Sequence, residues 1–372
     1  MAENRQLSRQ SEKYSGGVVA PIFVLAALLC LFFSEREVAR AHVMMKVGTQ
    51  AVVSIDPAEL SPEHRGRLVH FSGLVQTDEV LTDPLLEISA EGLVLRREAE
   101  MYQWQEQEHR ETGTDSQGRQ TTSVSYSYDR GWESYAVQSA RFSQPQGHEN
   151  SGSMPVQSAT FVTQDARLGG IALPAALLEQ IEYRLPVSAA TAKTLPLDLA
   201  PEPGEAYFHY RSNPRSTSVG DVRVSFSIVP ETYVSVVARL EGDTVVPYPV
   251  ADDVEIFMIE DDLIPAELML SRAQQKVTEQ KWIYRVVGFL LLFFGLLFFW
   301  GWIKSIAGRI PIIAALRRTN DLLSVALLSL MLTGVVLSSA WLLYDARIGI
   351  LVLLPSVALG MTCHRLGGRK AA

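Results

Sequence analysis

Length, composition and charge indicate a membrane protein with a large polar insert. The chain has 372 residues, is 47% hydrophobic and carries a net charge of −8. Residues 34–281 hold 37 of the 41 acidic residues and 21 of the 33 Lys and Arg residues, for a net charge of −16, whereas the remainder carries +8. So acidic a segment argues against nucleic-acid binding, which needs a basic face. The two cysteines, Cys30 and Cys363, lie in hydrophobic runs and do not indicate a redox compartment.

Four hydrophobic runs predict four transmembrane helices. They are Gly16–Phe33, Trp282–Trp302, Leu322–Tyr344 and Ile348–Cys363. The second run has the length of about 20 residues that a bilayer core requires, and the aromatic rings at its two ends suit the membrane interfaces. Its one charged residue, Arg285, lies in the first turn and can extend to the headgroups along its own stem. The fourth run is shorter and contains Pro355, a kink that neighbouring helices can cover.

The basic residues predict the side of the membrane on which each segment lies. The N-terminal tail, the connection after the second run and the C-terminal tail are short and basic, which predicts that all three are cytoplasmic. The N-terminus also resembles a signal peptide, with Ala39-Arg40-Ala41 as a cleavage site. A retained anchor is favoured, because the apolar run is longer than a usual signal core and charged residues precede that site. Residues 34–281 are therefore expected outside the cytoplasm.

These features predict an α+β membrane protein with four transmembrane helices and a large β-rich extracytoplasmic domain between helices 1 and 2. The segments are a cytoplasmic basic tail (1–15), helix 1 (16–33), the β-rich domain (34–281), helix 2 (282–302), a cytoplasmic basic loop (303–321), helix 3 (322–344), helix 4 (348–363) and a cytoplasmic tail (364–372). A short amphipathic helix is expected after residue 34, and another helix at Leu173–Ile181. Strand-like segments between turn residues predict an antiparallel or barrel-like sheet. Residues Pro265–Lys281 have helical spacing and run into helix 2.

A long β-hairpin is predicted within the domain. Residues Gly92–Glu111 alternate in polarity, and after a Gly/Asp/Ser-rich turn Arg119–Tyr135 is rich in residues that favour strands. Cross-strand aromatic packing, worth roughly 0.2–1 kcal/mol per pair, is the simpler interpretation of the aromatic residues in these strands. Partner docking or self-association is the functional alternative. The candidate interaction or structural residues are Tyr102, Trp104, Tyr126, Tyr128 and Trp132.

Motifs for catalysis and metal binding are missing from the sequence. No two of the seven histidines have the i, i+4 spacing of a helical zinc site. His70 and His209 lie in strand-like runs, where a hydrogen-bonded structural histidine is expected. The hydrolase signatures G-x-S-x-G and S-x-x-K are absent. Four glutamates recur on one strand face, and although paired acids can perform acid–base chemistry, a solvated face interleaved with arginines is favoured: Glu98, Glu100, Glu106 and Glu108. We therefore predict no catalytic residue, metal ligand or cofactor.

The hydrophobic runs offer two alternative roles for small polar residues. The interiors of the runs lack ionisable residues, which argues against coupled transport. Helix packing is favoured, because Gly334 and Ser338 form a small-xxx-small pair on one helix face. The alternative is a passive pore lined by Ser324, Ser329, Thr333, Ser338 and Ser339.

Several segments resemble the LUMA family (transmembrane protein 43). In chain order they are EHRGRLVHFSG, LTDP, LRREAEMYQWQE, YSYDRGWES, FHYRSNPRSTSVGDVRVSF and ARLEGDTVVPY. The resemblance covers nearly the whole chain, is most specific at LRREAEMYQWQE and the following YSY…W, and includes the four-span layout. It implies a multispan protein of endoplasmic-reticulum-type or nuclear membranes in eukaryotes, with prokaryotic relatives, a scaffolding role, self-association and no established catalytic residues. The N-terminal tail and the loop between helices 2 and 3 match the animal members poorly.

Together, architecture and resemblance predict a non-enzymatic membrane scaffold that self-associates and organises membrane protein complexes or envelope structure. The alternatives are an oligomeric ion or small-solute pore and a membrane-anchored envelope hydrolase, which the missing nucleophile motifs disfavour. The expected partners are membrane lipids, other membrane proteins and further copies of the chain. The Ala-rich, short-tailed sequence favours a bacterial inner membrane with residues 34–281 in the periplasm. In a eukaryote, the endoplasmic reticulum or inner nuclear membrane is expected.

Overall fold

The computed structural model describes residues 2–114, 120–187, 200–201, 207–210, 216–306 and 321–369. Side chains are described over 20–113, 122–187, 216–279, 281–300, 322–323 and 325–359. Most of the basic loop predicted at 303–321 and the turn of the predicted hairpin lie outside the described residues. The chain forms two compact units. The helical unit comprises Met1–Val52, Pro249–Ile256 and Ala266–Ala372, and the β unit comprises Val53–Tyr248 and Phe257–Pro265.

Long helices dominate the helical unit. The α-helices of the described residues are α1 (Ala2–Ala51), α2 (Ala175–Leu178), α3 (Ala266–Ile306), α4 (Asp321–Leu342) and α5 (Ala346–Arg369). Helix α1 runs for 50 residues, about 75 Å, without a break. The separate amphipathic helix expected after residue 34 is therefore wrong: this segment continues the helix of the first hydrophobic run, since Glu and Arg are good helix formers. The helical spacing predicted at Pro265–Lys281 is confirmed, because α3 carries it directly into the second run.

Two helical stretches in the described residues are long and apolar enough to cross a membrane. They are Ala266–Trp300 and Val325–Leu342. The apolar part of α5, Ala346–Leu359, is shorter. Large apolar side chains such as Phe298 and Leu330 are exposed on these helices, which suits a lipid environment. The described part of the chain therefore contains two candidate membrane-spanning helices beside an extensive β structure.

Helices α1 and α3 pack closely at two glycines of α3. A Cβ atom on Gly288 would lie 2.5 Å from Leu31 Cγ, and one on Gly295 would lie 2.9 Å from Val24 Cγ2. Because the glycines lie about two helical turns apart, they occupy the same face of α3. This close approach forms an apolar core that consists of Ala27, Leu292, Leu296, Trp300, Val325 and Leu328.

The strands account for most of the remaining regular structure. They are β1 (Val53–Ser54), β2 (Leu68–Gln76), β3 (Val80–Thr82), β4 (Ser89–Glu91), β5 (Val94–Thr114), β6 (Gln120–Glu133), β7 (Ala159–Val162), β8 (Arg167–Leu168), β9 (Ile171–Ala172), β10 (Leu185–Pro186), β11 (Ala200–Pro201), β12 (Tyr207–Tyr210), β13 (Val222–Val229), β14 (Tyr233–Glu241), β15 (Thr244–Val246), β16 (Tyr248–Ala251), β17 (Val254–Ile256) and β18 (Met258–Asp261). The predicted helix at Leu173–Ile181 is the single turn α2. Strands β17 and β18 are separated by the single residue Phe257.

The first sheet closes into a ring. Its strand order is β1-β2-β8-β9-β15-β14-β18, and β2 also pairs with β14. Strands β2, β8, β9, β15 and β14 thus close on themselves, which gives the barrel-like arrangement that the strand spacing indicates. Two pairs, β1–β2 and β9–β15, are parallel rather than antiparallel. Inward side chains fill the ring, including Phe71, Leu168, Ile171, Val234 and Val236.

The second sheet carries the long hairpin. Its order is β11-β12-β13-β5-β6, with β10 paired to β13 and β7 paired to β5. Strand β13 pairs with β5 only from Val94 to Met101, and β7 pairs with it only from Val94 to Arg97. Strand β5 is 21 residues long, so its distal half extends beyond both neighbours and pairs with β6. The predicted hairpin is therefore confirmed, and it projects from the packed part of its sheet.

A buried ion pair joins two of the segments that carry the family resemblance. Asp83 of LTDP is fully buried, and the Arg97 side chain of LRREAE is 7% exposed. Arg97 Nη1 donates to both carboxylate oxygens of Asp83, at 2.6 Å for Oδ1. Arg97 Nε donates to the Gln157 carbonyl at 2.8 Å. Because pairing offsets the cost of desolvating both charges, this contact fixes the turn after β3 against β5.

Candidate functional site on the long hairpin

The five aromatic residues predicted as a cluster share one face of the hairpin. The register of β5 and β6 places Tyr102 opposite Trp132 and Trp104 opposite Arg130. Residues directly opposite each other, and residues two apart on one strand, project to the same side of a sheet. We call this surface the aromatic face, defined by Tyr102, Trp104, Tyr126, Tyr128 and Trp132.

The rings of the aromatic face contact one another and a histidine of the following loop. The centroids of Tyr102 and Trp132 lie 5.3 Å apart. His148 stacks on Tyr128 at 3.9 Å and meets Trp104 edge-on at 4.7 Å. His148 therefore bridges two rings on different strands. The sequence gives this histidine no recognisable role, because only the folded loop brings it to the hairpin.

Two arginines complete the aromatic face. The Arg130 guanidinium lies 5.0 Å from the Trp104 ring centroid, and that of Arg223 lies 4.6 Å from the Trp132 centroid. Cation–π contacts at partly exposed sites contribute about 0.5–1 kcal/mol each. The face thus combines ring packing with positive charge, although the segment as a whole is acidic.

The loop after β6 is fastened to the hairpin by hydrogen bonds. Trp104 N donates to Asn150 Oδ1 at 2.8 Å, and Asn150 Nδ2 donates to the Trp104 carbonyl at 2.9 Å. The side-chain amide thereby pairs with the edge of β5 as another strand would. Gln144 N donates to the phenol oxygen of Tyr128 at 2.9 Å. The loop therefore covers part of the aromatic face and leaves Trp104 and Tyr128 half-buried.

The glutamates of β5 lie on the same face, and the described contacts do not group them into a catalytic pair. Three accept from different donors: Glu100 from Arg223 Nε at 2.6 Å, Glu106 from the Tyr128 phenol at 2.7 Å, and Glu108 from Arg110. Glu98 lies opposite Ser225 of β13. Burial of the phenol and its hydrogen bond to Glu106 raise the pKa of Tyr128 above its usual value. The arrangement resembles the interleaved acidic and basic face that the sequence favours.

The opposite face of the hairpin base packs inward. Met101 is buried, and so is the amide of Gln103. Gln103 Nε2 donates to the Tyr135 carbonyl at 2.7 Å, and Val137 N donates to Gln103 Oε1 at 2.9 Å. The sequence analysis did not identify this buried glutamine, because Gln103 is one of many polar residues in an alternating strand. These two hydrogen bonds hold the segment that follows β6, at Tyr135 and Val137, against the inward face of the hairpin base.

The histidine expected to be structural, His70, has hydrogen-bonding partners within the β unit. His70 is mostly buried, its Nε2 lies 2.8 Å from the Ile264 carbonyl, and its Nδ1 lies 3.2 Å from Ser54 Oγ. No group of three or more His, Cys, Asp or Glu side chains in the described part of the chain is arranged to hold a metal ion. The side chains of His209 and His364 lie outside the described residues.

Gly334 and Ser338 of α4 both face α5. A Cβ atom on Gly334 would collide with Ser356 Oγ. Ser338 Oγ donates to the Gly349 carbonyl at 2.8 Å. The small pair therefore lies at a close contact between two helices of the same chain, a geometry typical of small-xxx-small packing.

The other hydroxyl side chains proposed as pore lining lie in different surroundings. Ser329 is buried and donates to the Val325 carbonyl at 2.8 Å. Thr333 is buried as well, whereas Ser339 is exposed and donates to the Val336 carbonyl at 2.7 Å. The side chain of Ser324 lies outside the described residues. Ser329 and Thr333 are therefore buried while Ser339 is exposed, so these three do not share one exposed surface of the helical unit.

A polar cluster joins three helices of the helical unit. Glu35 of α1 is 1% exposed, and it accepts from Arg285 Nε at 2.9 Å and from Arg285 Nη2 at 2.6 Å. Trp341 Nε1 of α4 donates to the same carboxylate at 2.6 Å. The Arg285 guanidinium thus binds a buried acid of the same chain, a partner that the sequence analysis did not identify. The sequence missed Glu35 because it lies just beyond the first hydrophobic run, 250 residues from its partner.

A second polar cluster surrounds the β16–β17 turn of the helical unit. Asp253 accepts from Arg36 of α1 and, at 2.6 Å, from the Tyr344 phenol. These hydrogen bonds, from Tyr344 first and then from Arg36, hold the pKa of Asp253 below its usual value. The first cluster thus links α1 to α3 and α4, and the second links α1 to the β16–β17 turn and to the turn after α4.

Comparison with known proteins establishes the family. The family model described as Transmembrane protein 43 matches residues 101–346. The chain belongs to this family. Rat Transmembrane protein 43 is 29% identical over 372 residues, covering 94% of this chain and 91% of the rat protein. The human protein is 30% identical over 302 residues, covering 78% of this chain and 74% of its own. The Drosophila melanogaster homolog is 29% identical over 303 residues. No solved structure matches the chain.

The transmembrane protein 43 match includes the aromatic face and both candidate membrane-spanning stretches. Its range, residues 101–346, begins at the base of the aromatic face and ends after α4. It contains both candidate membrane-spanning stretches, Ala266–Trp300 and Val325–Leu342. The alignment with the rat protein covers 94% of the chain and therefore extends well beyond this range. Membership confirms the resemblance found in the sequence and identifies a membrane protein with a large β-rich region.

Proposed function

We propose that this transmembrane protein 43 family member is a non-enzymatic scaffold that self-associates and organises membrane protein complexes. The observation that carries the proposal is the projecting half of the hairpin. Residues 107–113 and 122–126 are exposed on both sides of the ribbon. A two-stranded ribbon without a packed face is only marginally stable in water. An element of this length that adds nothing to its own core is suited to contact another protein.

The proposed membrane arrangement has four transmembrane helices, with both termini and the 303–321 loop in the cytoplasm. Residues 34–281 then lie in the periplasm of a bacterium, or in the lumen of the endoplasmic reticulum or nuclear envelope of a eukaryote. Support comes from the basic residues of the short N-terminal tail, the 303–321 connection and the C-terminal tail. Basic residues in short connecting segments favour the cytoplasmic side.

The contacts within the hairpin and the helices support a scaffold over the two alternatives. The glutamates on the aromatic face have separate donors, which disfavours a hydrolase with paired acids. Ser329 and Ser338 use their hydroxyls on carbonyls of the same chain, which favours helix packing over a pore lining. Membrane lipids and other membrane proteins are the proposed partners besides further copies of the chain.

The mass of the native protein tests the proposal. The full-length chain is extracted in a mild detergent, and the protein mass within the detergent complex is measured by light scattering. We expect a defined multiple of 41.2 kDa. A monomer over the whole accessible concentration range would contradict the scaffold. Reconstitution into liposomes addresses the pore alternative, because selective single-channel currents would favour a pore.

A further inference from the structure

The outer edge of β6 is uncharged over residues 122–128, and no strand of the described part of the chain pairs with it there. Strand β6 ends its sheet, and in the described part of the chain no backbone group outside β5 bonds to the backbone of residues 122–128. From Gln120 to Tyr128 the sequence contains no charged residue and no proline. Proteins usually protect an exposed strand edge with charges, prolines or bulges, because a bare edge pairs readily with another strand. This stretch of β6 has neither charges nor prolines.

The bonding pattern of β5 shows which residues of β6 direct their backbone outward. Trp104 N and O bond Asn150 on the side of β5 that faces away from β6. The odd-numbered residues of β5, such as Gln103, therefore direct their backbone groups toward β6. There they lie opposite the odd-numbered residues of β6, which direct their own backbone groups toward β5. The even-numbered residues of β6 thus present their N–H and C=O groups at the free edge: Thr122, Val124, Tyr126 and Tyr128.

The free edge of β5 is chemically different. Beyond Trp104 it carries Glu106, Glu108, Arg110 and Glu111 within six residues. Charges of this kind are the usual protection against strand addition. A partner strand is therefore expected at β6. The partner must also tolerate the charge of −16 that residues 34–281 carry, and a neutral edge allows two acidic copies to meet without charged groups in contact.

We infer that the β6 edge binds the β6 edge of a second copy of this chain, antiparallel, with the two-fold axis at Ser125. This inference rests on the proposed self-association and specifies the surface through which two copies bind. Val124 and Tyr126 are exposed apolar residues of β6, 44% and 40% exposed. A two-fold axis at Ser125 places Val124 of each copy opposite Tyr126 of the other. A β-branched residue opposite an aromatic one is a favourable cross-strand pair.

The same register satisfies the backbone. Residues with outward N–H and C=O groups lie opposite each other, and each such pair exchanges two hydrogen bonds. Residues 122–128 provide an edge of about 23 Å at 3.3 Å per residue, long enough for strand addition as a mode of recognition. The two-fold axis is perpendicular to the sheet, so the aromatic faces of both copies lie on one side and form a single larger surface.

Disulfide cross-linking tests the register in the full-length chain within its membrane. In a Cys30→Ser, Cys363→Ser background, the Ser125→Cys substitution places a thiol opposite the same thiol of the second copy. The pair is non-hydrogen-bonded, with Cα atoms about 4.5 Å apart, inside the range that a disulfide spans. Ser123→Cys is the matched control, since Ser123 is exposed on the same face of β6 but lies opposite Ser127 of the second copy.

We expect mild oxidation to yield a reducible dimer for Ser125→Cys and none for Ser123→Cys. Co-expression of the Ser123→Cys and Ser127→Cys variants should restore a cross-link. Equal cross-linking of the Ser123 and Ser125 variants, or none in either, would overturn the inferred edge. If the native mass is then still a multiple of the chain, only the edge is wrong. If the mass is that of a monomer, the scaffold proposal fails as well.

Proline variants separate the two edges of the hairpin. Val124→Pro removes an outward N–H of β6 and leaves the ladder to β5 intact, because proline is tolerated at an edge position of this kind. Glu108→Pro removes the equivalent outward N–H of β5. In the Ser125→Cys background, we expect loss of the dimer with Val124→Pro and retention with Glu108→Pro. The reverse pattern would assign the interface to β5 and overturn the inference.

Discussion

Replacing Arg97 with Met tests whether the Asp83–Arg97 pair anchors the turn after β3. The Asp83 carboxylate is fully buried. Without Arg97, the donors that remain to it among the described residues are the backbone groups Leu85 N at 2.8 Å and Leu86 N at 3.2 Å. Removal of one partner from a buried ion pair costs about 3–5 kcal/mol, because the remaining charge is uncompensated. That is a large part of the ~5–15 kcal/mol by which a folded domain is typically stable.

The free energy of unfolding measures this cost. Full-length protein in detergent is unfolded with denaturant, and tryptophan fluorescence follows the transition. Arg96→Met is the matched control, because Arg96 is partly exposed and donates one hydrogen bond, to the Glu179 carbonyl at 2.7 Å, worth about 0.5–1.5 kcal/mol. The double variant Asp83→Asn, Arg97→Met should lose less stability than Arg97→Met, since no buried charge remains. Equal losses of unfolding free energy for Arg97→Met and Arg96→Met would show that the buried ion pair does not anchor this turn.

Two further predictions concern Asp253 and the aromatic face. Hydrogen bonds from Tyr344 and Arg36 lower the pKa of Asp253. Its contribution to stability is therefore present above about pH 4, the usual Asp value, and is lost as the pH falls through the lower folded pKa. Thermal unfolding of Asp253→Asn should lack this acid-dependent loss, and identical pH profiles would contradict the assignment. Trp104→Ala removes the ring that His148 contacts, so we expect about 1–3 kcal/mol lower stability with the native mass unchanged. A changed mass at unchanged stability would instead place association on the aromatic face.

Local periodicity accounts for the features that were predictable from sequence. Long apolar runs predict α3 and α4, because the length and the hydrophobicity of a run are enough to indicate a membrane-spanning helix. The alternation of β5 and β6 predicts the hairpin and places Tyr102, Trp104 and Trp132 on one face, since side chains of a strand alternate between its sides. Both inferences use residues that are close in sequence.

Contacts between distant segments account for what sequence reasoning missed. Glu35 and Arg285 are separated by 250 residues, and neither belongs to a sequence motif that would predict their pairing. Asn150 and His148 lie in a polar loop whose path is decided by the packing of the whole sheet. The unbroken α1 was missed for a different reason. The change from apolar to charged residues was interpreted as the end of a helix, although residues 34–41 contain neither proline nor glycine.

Sidedness is the claim on which the proposed function depends, and thiol labelling measures it directly. Single cysteines are placed at Thr122 or at Ala371 in a chain that lacks Cys30 and Cys363. The chain is produced in the inner membrane of a bacterium, and a maleimide that does not cross this membrane is added to intact cells. We predict that Thr122→Cys reacts from outside and that Ala371→Cys reacts only after the membrane is permeabilised. Reaction of both cysteines from the same side would contradict the account.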